Sequence, residues 1–194
     1  ITMLAHQQGG LLNLSALGGA LGVSHHTVRR YIDLLEQTYL VRLLRPYFRN
    51  VGKRLTKSPK VFLRDTGLLH HVLNISSLAE LDSHPVRGAS WETFVLEDLV
   101  RREKLRNPHT QFYFWRTAAG LEADLLFDRG SERVVFEIKT GEGEPVRAAQ
   151  RLRSAMTDTD AQRAFLITQV DGVVPLTPGV ERRGFANCVD WLPE

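Results

Sequence analysis

With 194 residues, one cysteine and a net charge of +3, the chain is long enough for one large or two small cores and cannot close an internal disulfide. No apolar run approaches the roughly 18 residues that span a bilayer, so no membrane partner is expected and a reducing cytoplasm is the expected compartment. The chain opens at Ile1 without a charged-then-apolar leader, which reads as an unsecreted piece of a longer protein.

The small net charge hides an asymmetry. Residues 1–75 carry ten Lys and Arg against three acids, a net of +7, and the remainder comes to −4. A basic first unit suits a polyanion, with a merely solvated basic face as the alternative. Its first helix includes Met3, Leu4 and Ala5 and breaks at Gly9-Gly10. Ser15 is read as the cap of a short second helix ended by Gly22. Ser24 caps a third, where Val28, Tyr31, Ile32 and Leu35 turn to the core and His25, His26, Arg29, Arg30 and Asp33 turn away. Two helices about a Gly turn make a helix-turn-helix, with Ser24–Glu36 as recognition helix. Strand-like runs at 39–44 and 60–63 flank a stretch containing Arg49, Lys53, Arg54 and Lys57. Helices followed by a basic hairpin predict a winged helix on 1–75, with DNA as expected partner through His25, His26, Arg29, Arg30 and the four cations of the wing. Protein docking is the alternative use of such a module.

A helical segment near 65–73 leads into a polar stretch, and residues 76–83 are read as a linker. A helix from Ser90 to Leu105 follows, with Trp91, Phe94, Val95, Leu99 and Val100 turned inward. Strands are expected at 111–116, 123–128 and 133–139. A helix over 145–156 has Val146, Ala149, Leu152 and Met156 on its apolar side, and a strand occupies 164–170. Trp115 and Tyr113 also read as core. The order predicts an α/β unit with a mixed sheet over 84–194.

The strand "VVFEIK" holds the candidate chemistry. Alternation puts Val135, Glu137 and Lys139 on one face. A hairpin with Arg129–Glu132 as a four-residue loop sets Asp128 against Arg133 and, by register, Asp124 against Glu137. Two opposed carboxylates repel unless a cation relieves them. Mg²⁺ or Mn²⁺ held by Asp124, Glu137 and the Ile138 carbonyl is the expected relief, with Lys139 neutralising charge on a phosphate. A further acid is sought on the preceding helix, where Glu92, beside Leu96 and Leu99, ranks above Glu97, assigned to the polar strip with Thr93 and Arg101. Glu122 shares the strand's parity but lies beyond the pair. The doublets His25-His26 and His70-His71 lack the spacing of a zinc site.

Glu92 in "WE", Asp124 in "EAD", and Glu137 with Lys139 in "EIK" resemble the PD-(D/E)XK, or restriction-endonuclease-like, nuclease superfamily. That resemblance implies an αβββαβ core and metal-dependent phosphodiester hydrolysis, with Glu92, Asp124 and Glu137 as metal ligands and Lys139 as base or electrostatic stabiliser. Ala123 stands where the family's name has Pro. More narrowly, "SHHTVRRYIDLLEQTYLVRLLRPY", "KSPKVFLRDTGLLHHVL", "GASWETFVLEDL", "FYFWRTAAGLEADLLF" and "FEIKTG" resemble the C-terminal portion of predicted AAA+ family ATPases. This implies a tethered N-terminal ATPase module. No Gly-x-x-x-x-Gly-Lys-Ser/Thr loop occurs here, so ATP binding is not expected of this chain. The expectation is a DNA-binding protein with a nuclease domain. The alternative is an inactive nuclease-like and winged-helix module that binds nucleic acid or protein and regulates the ATPase.

Overall fold

A computed structural model describes residues 1–48, 58–142 and 144–188. The protein is mixed α/β, with seven α-helices and eight strands among the described residues. It divides into two compact units, one of Ile1–Leu44 with Ser58–Phe94, the other of 45–48 with 95–188 among the described residues.

The first unit opens with α1 (Thr2–Ala5), α2 (Leu14–Leu21) and α3 (His25–Gln37). Asn13, not Ser15, caps α2, its side-chain oxygen accepting from the Ala16 N–H at 3.0 Å. Asn is among the strongest N-caps, and it precedes the first residue with helical geometry. Gly22 closes α2 in the left-handed region at φ 66°, which glycine reaches without a Cβ penalty. Ser24 then starts α3 by accepting from the Thr27 N–H. Val28 and Ile32 are buried with Leu35 packed beside them, but Tyr31 is exposed, at the rim of the apolar stripe.

β1 (Val41–Pro46) and β2 (Lys60–Leu63) are antiparallel, with Val41 opposite Leu63. Their side chains join Leu4, Leu17, Val28 and Ile32 in one core. Next come α4 (Thr66–Val72), capped by Asp65, and α5 (Leu78–Ser83). The helix α5 lies in the stretch read as a linker, 76–83. Ser77 accepts from the Glu80 N–H and Glu80 accepts from the Ser76 N–H, a reciprocal cap that starts a helix in a polar sequence.

Helix α6 (Arg87–Arg106) contains the division between the units, which falls after Phe94. Val95, Leu99 and Val100 are buried as expected, but so are Thr93 and Glu97, while Trp91 is half-buried and Phe94 is exposed. In the first unit the Gln8 amide explains Thr93. Gln8 is buried, donates to the Leu63 carbonyl and to Thr93 Oγ1, and accepts from the Leu63 N–H. A hydroxyl at 93 completes a buried polar group that an apolar residue would orphan.

The second unit continues with β3 (Gln111–Arg116), β4 (Glu122–Asp128), β5 (Arg133–Ile138), α7 (Pro145–Thr159), β6 (Arg163–Thr168), β7 (Val173–Thr177) and β8 (Val180–Gly184). The strand order is β3-β4-β5-β6-β8-β7. β5, β6 and β8 run parallel, and the other pairings are antiparallel. Helix α7 is the crossover that a parallel β5–β6 pair requires. It buries Ala148, Leu152, Ala155 and Thr159, whereas Val146 is exposed. Its small residues allow close approach to Leu126, Val135 and Ala164 on the sheet. On β4, β5 and β6, Phe127, Phe136 and Phe165 form a run of aromatic contacts.

Candidate functional site

The β4–β5 hairpin sets the geometry. Asp128 opposes Arg133 and Leu125 opposes Phe136, so the next step of the register carries Asp124 to Glu137. A register shift in β3–β4 falls between Tyr113 and Trp115, leaving one more residue on β4 than on β3 and locating the irregularity at Asp124-Leu125. Bulges bend a strand and re-aim a side chain. Asp124 Oδ2 accepts the Ile138 N–H at 2.7 Å, so an acid on one strand supplies the acceptor at the end of the other.

Asp124 and Glu137 are both buried, at 6% and 2% exposure. Lys139 follows the last residue of β5, and its backbone N–H is anchored on the Ile167 carbonyl. Its Nζ stands 3.5 Å from Asp124 Oδ2 and 3.4 Å from Glu137 Oε1. Two carboxylates and an ammonium thus converge at the carboxyl end of a parallel strand, where open α/β sheets bind ligands.

A fourth group is present that the sequence does not single out. Arg151, on α7, donates from Nε to both Glu137 oxygens at 3.1 and 3.3 Å, and from Nη2 to Oε1. The hydrogen bonds to Glu137 raise the guanidinium above its ordinary pKa, against the effect of burial. The cluster therefore holds two carboxylates and two cations. Only the position of Arg151, beside the inward Leu152 and three residues after inward Ala148, could have signalled it.

The expected divalent ion can be tested against this donor set. Mg²⁺ requires open oxygen lone pairs at about 2.0–2.1 Å and gains affinity from uncompensated ligand charge. Here Glu137 Oε1 is met by Arg151 and Lys139, and the two negative charges face two positive ones. Among the described residues no group of three or more His, Cys, Asp or Glu is arranged to hold a metal ion. As arranged, the residues do not fit a resident divalent cation; the relief of carboxylate repulsion comes from the protein's own side chains.

Of the other named residues, Glu92 lies in the first unit, half-buried, 3.4 Å from the buried Lys60 ammonium. Glu97, ranked below it in the sequence, is the more buried glutamate and belongs to the second unit. Thr93 and Glu97, assigned to the polar strip, are buried together with Val95 and Leu99. Glu122 pairs with Arg116 across β3–β4 at 3.2 Å. His25, His26, Arg29 and Arg30 are all exposed on α3, with the two imidazole rings 4.1 Å apart. Arg49, Lys53, Arg54 and Lys57 lie outside the described residues.

The second unit contains another ion cluster. Glu103, with no exposed side-chain surface, accepts from Arg129 through both oxygens at 2.8 and 2.7 Å. Arg129 also meets Glu132, which in turn meets Arg163. Burial pushes the Glu103 carboxyl up, but hydrogen bonds from Arg129, Thr110 and Asn107 outweigh it and hold it below its ordinary value. Glu132 is likewise held low, with burial opposed by Arg163 and Arg129.

No described helix is long and apolar enough to cross a membrane. No solved structure matches the chain. Curated relatives include the uncharacterized protein Rv2008c of Mycobacterium tuberculosis and the uncharacterized protein Mb2031c of Mycobacterium bovis. Each is 39% identical over 179 residues, covering 92% of this chain and 39% of the relative. The chain thus spans about two fifths of the length of the curated relatives it matches. Residues 1–79 match the family model described as domain of unknown function DUF8612, and residues 87–182 match that described as domain of unknown function DUF4143.

Proposed function

We propose that this chain binds duplex DNA through a winged helix and carries a restriction-endonuclease-like domain that does not hydrolyse DNA in the arrangement described. The DNA-binding half rests on α3. Its first two turns expose His25, His26, Arg29 and Arg30 after a Gly-capped turn, while Val28 and Ile32 fix the opposite side in the core. A recognition helix needs that division between a buried anchor and a cationic, solvent-facing N-terminal half. The nuclease-like half rests on the order α6-β3-β4-β5-α7-β6 and on the Asp124, Glu137, Lys139 cluster. Arg151 is the reason to read that cluster as silent. Given the longer relatives, the resemblance to ATPase C-terminal regions extends the proposal to a regulatory appendage of a tethered ATPase module.

A metal-dependent phosphodiesterase is the second reading, favoured by the shared approach of Lys139 to both carboxylates. Two measurements separate these readings. Fluorescence anisotropy with labelled duplex should give binding that weakens steeply with salt, with the slope smaller in Arg29→Ala/Arg30→Ala by about one for each phosphate that the variant no longer neutralises. A flat salt profile would sink the DNA reading and favour docking. Plasmid incubated with the wild-type chain and Mg²⁺ or Mn²⁺ should remain supercoiled; cutting that disappears in Asp124→Asn and Lys139→Ala would establish the second reading instead.

A further inference from the structure

We propose that Arg151 occupies the cation position beside Glu137 and is the group that keeps the Asp124–Glu137 pair from taking up a divalent metal. The assignment rests on reading the second unit as nuclease-like, and it explains why a site with the acids and lysine of that class is closed to the ion.

Three features carry it. Glu137 is buried to 2% exposure, so it cannot retreat into water to shed a partner. Its oxygen Oε1 accepts from Arg151 Nε and Nη2 and lies 3.4 Å from Lys139 Nζ, while Oε2 accepts from Arg151 Nε. Both oxygens are therefore engaged by the guanidinium. Arginine, unlike lysine, does not become neutral to vacate such a site. A planar guanidinium also matches a carboxylate in two-point fashion, which an ammonium does not.

The helix fixes the geometry. Ala148, Leu152 and Ala155 seat α7 on the sheet, so Arg151 projects from a backbone that packing holds in place. Its side chain nevertheless keeps 29% of its surface exposed. The guanidinium can leave Glu137 by rotation of its own side chain, without unseating α7. The contrast with Glu103–Arg129 is direct, since there the arginine is only 10% exposed.

The test uses the purified chain and Mn²⁺ as probe, with free Mn²⁺ followed by electron paramagnetic resonance. Wild type, Arg151→Ala, Arg151→Gln and Arg151→Ala/Asp124→Asn are compared after circular dichroism establishes which are folded. Arg151→Gln retains most of the side-chain bulk and serves if the alanine variant does not fold. Loss of a charged, two-point partner should tighten Mn²⁺ binding at least about tenfold over wild type. The double variant should return to the wild-type value. Equal Mn²⁺ affinities for the wild type and folded Arg151 variants would overturn the assignment, whether binding is tight or absent. DNA cleavage by the wild type would overturn the non-hydrolysing reading instead, so the two failures are told apart.

Discussion

The second unit contains two clusters of the same formal composition, each with two carboxylates and two cations, arranged in opposite ways. Around Glu103 the most buried acid is held by the most buried arginine, and Thr110 and Asn107 complete its shell. Around Glu137 both acids are buried, but Lys139 and Arg151 approach from the wetter side, at 40% and 29% exposure. The Glu103–Arg129 pair at the heart of the first cluster is a brace enclosed by the protein, whereas Glu132 and Arg163 at its rim are 24% and 36% exposed. The second has acids fixed by the sheet and cations on long side chains that can be exchanged. Charge balance alone does not distinguish the two; the exposure of the arginine that holds the most buried acid does.

Breaking the brace should have the largest effect. Arg129→Ala leaves Glu103 buried without its principal cation and should cost about 3–5 kcal/mol, measured as a lower urea midpoint at neutral pH. Acid probes the same cluster. Glu103 and Glu132 have folded pKa values below the ordinary 4.5, so the unfolded chain binds more protons near and below that value. Their contribution is present above the unfolded value and is lost as pH falls through the lower folded values. Urea midpoints from about pH 6 down to about pH 3 should therefore fall, and Glu103→Gln should flatten part of that fall. An unchanged pH profile in Glu103→Gln would remove the cluster from the account.

The second cluster should respond less. Arg151→Ala leaves Lys139 beside Glu137 and should cost about 1–2 kcal/mol in the same assay. Lys139→Met, which removes a cation with substantial exposure, should change stability by less than about 1 kcal/mol. If Lys139→Met were as damaging as Arg129→Ala, the distinction between brace and exchangeable cluster would collapse.

Much of this was legible in the sequence, for reasons that also explain the misses. The β4–β5 pairing follows from alternation and a turn of defined length, so a count of residues carried Asp124 to Glu137. Helix facing was harder. In α6, Thr93 and Glu97 look like surface residues until the buried Gln8 amide and the helix's actual orientation are known. In α7 the inward row is Ala148, Leu152 and Ala155, and alanines do not stand out beside Val146. The strands β7 and β8 escape a pattern-based prediction because "VVPLT" contains a proline and "VERRG" is polar, although β8 pairs in parallel with β6. The helix α5 did leave a signal, Ser77 three residues before Glu80. Arg151 left almost none, since Arg147 and Arg153 on the same helix have the same chemistry and only the fold selects among them.

The hydrogen bond from the Ile138 N–H to Asp124 Oδ2 makes Asp124 a carpenter's joint as well as a charge. The same oxygen that approaches Lys139 also finishes the edge where β5 ends, one residue before Lys139 is tied to β6. Substitutions at this position therefore ask different questions. Asparagine keeps an acceptor and changes the electrostatics, whereas alanine removes the joint and lets the strand end loosen beneath the lysine.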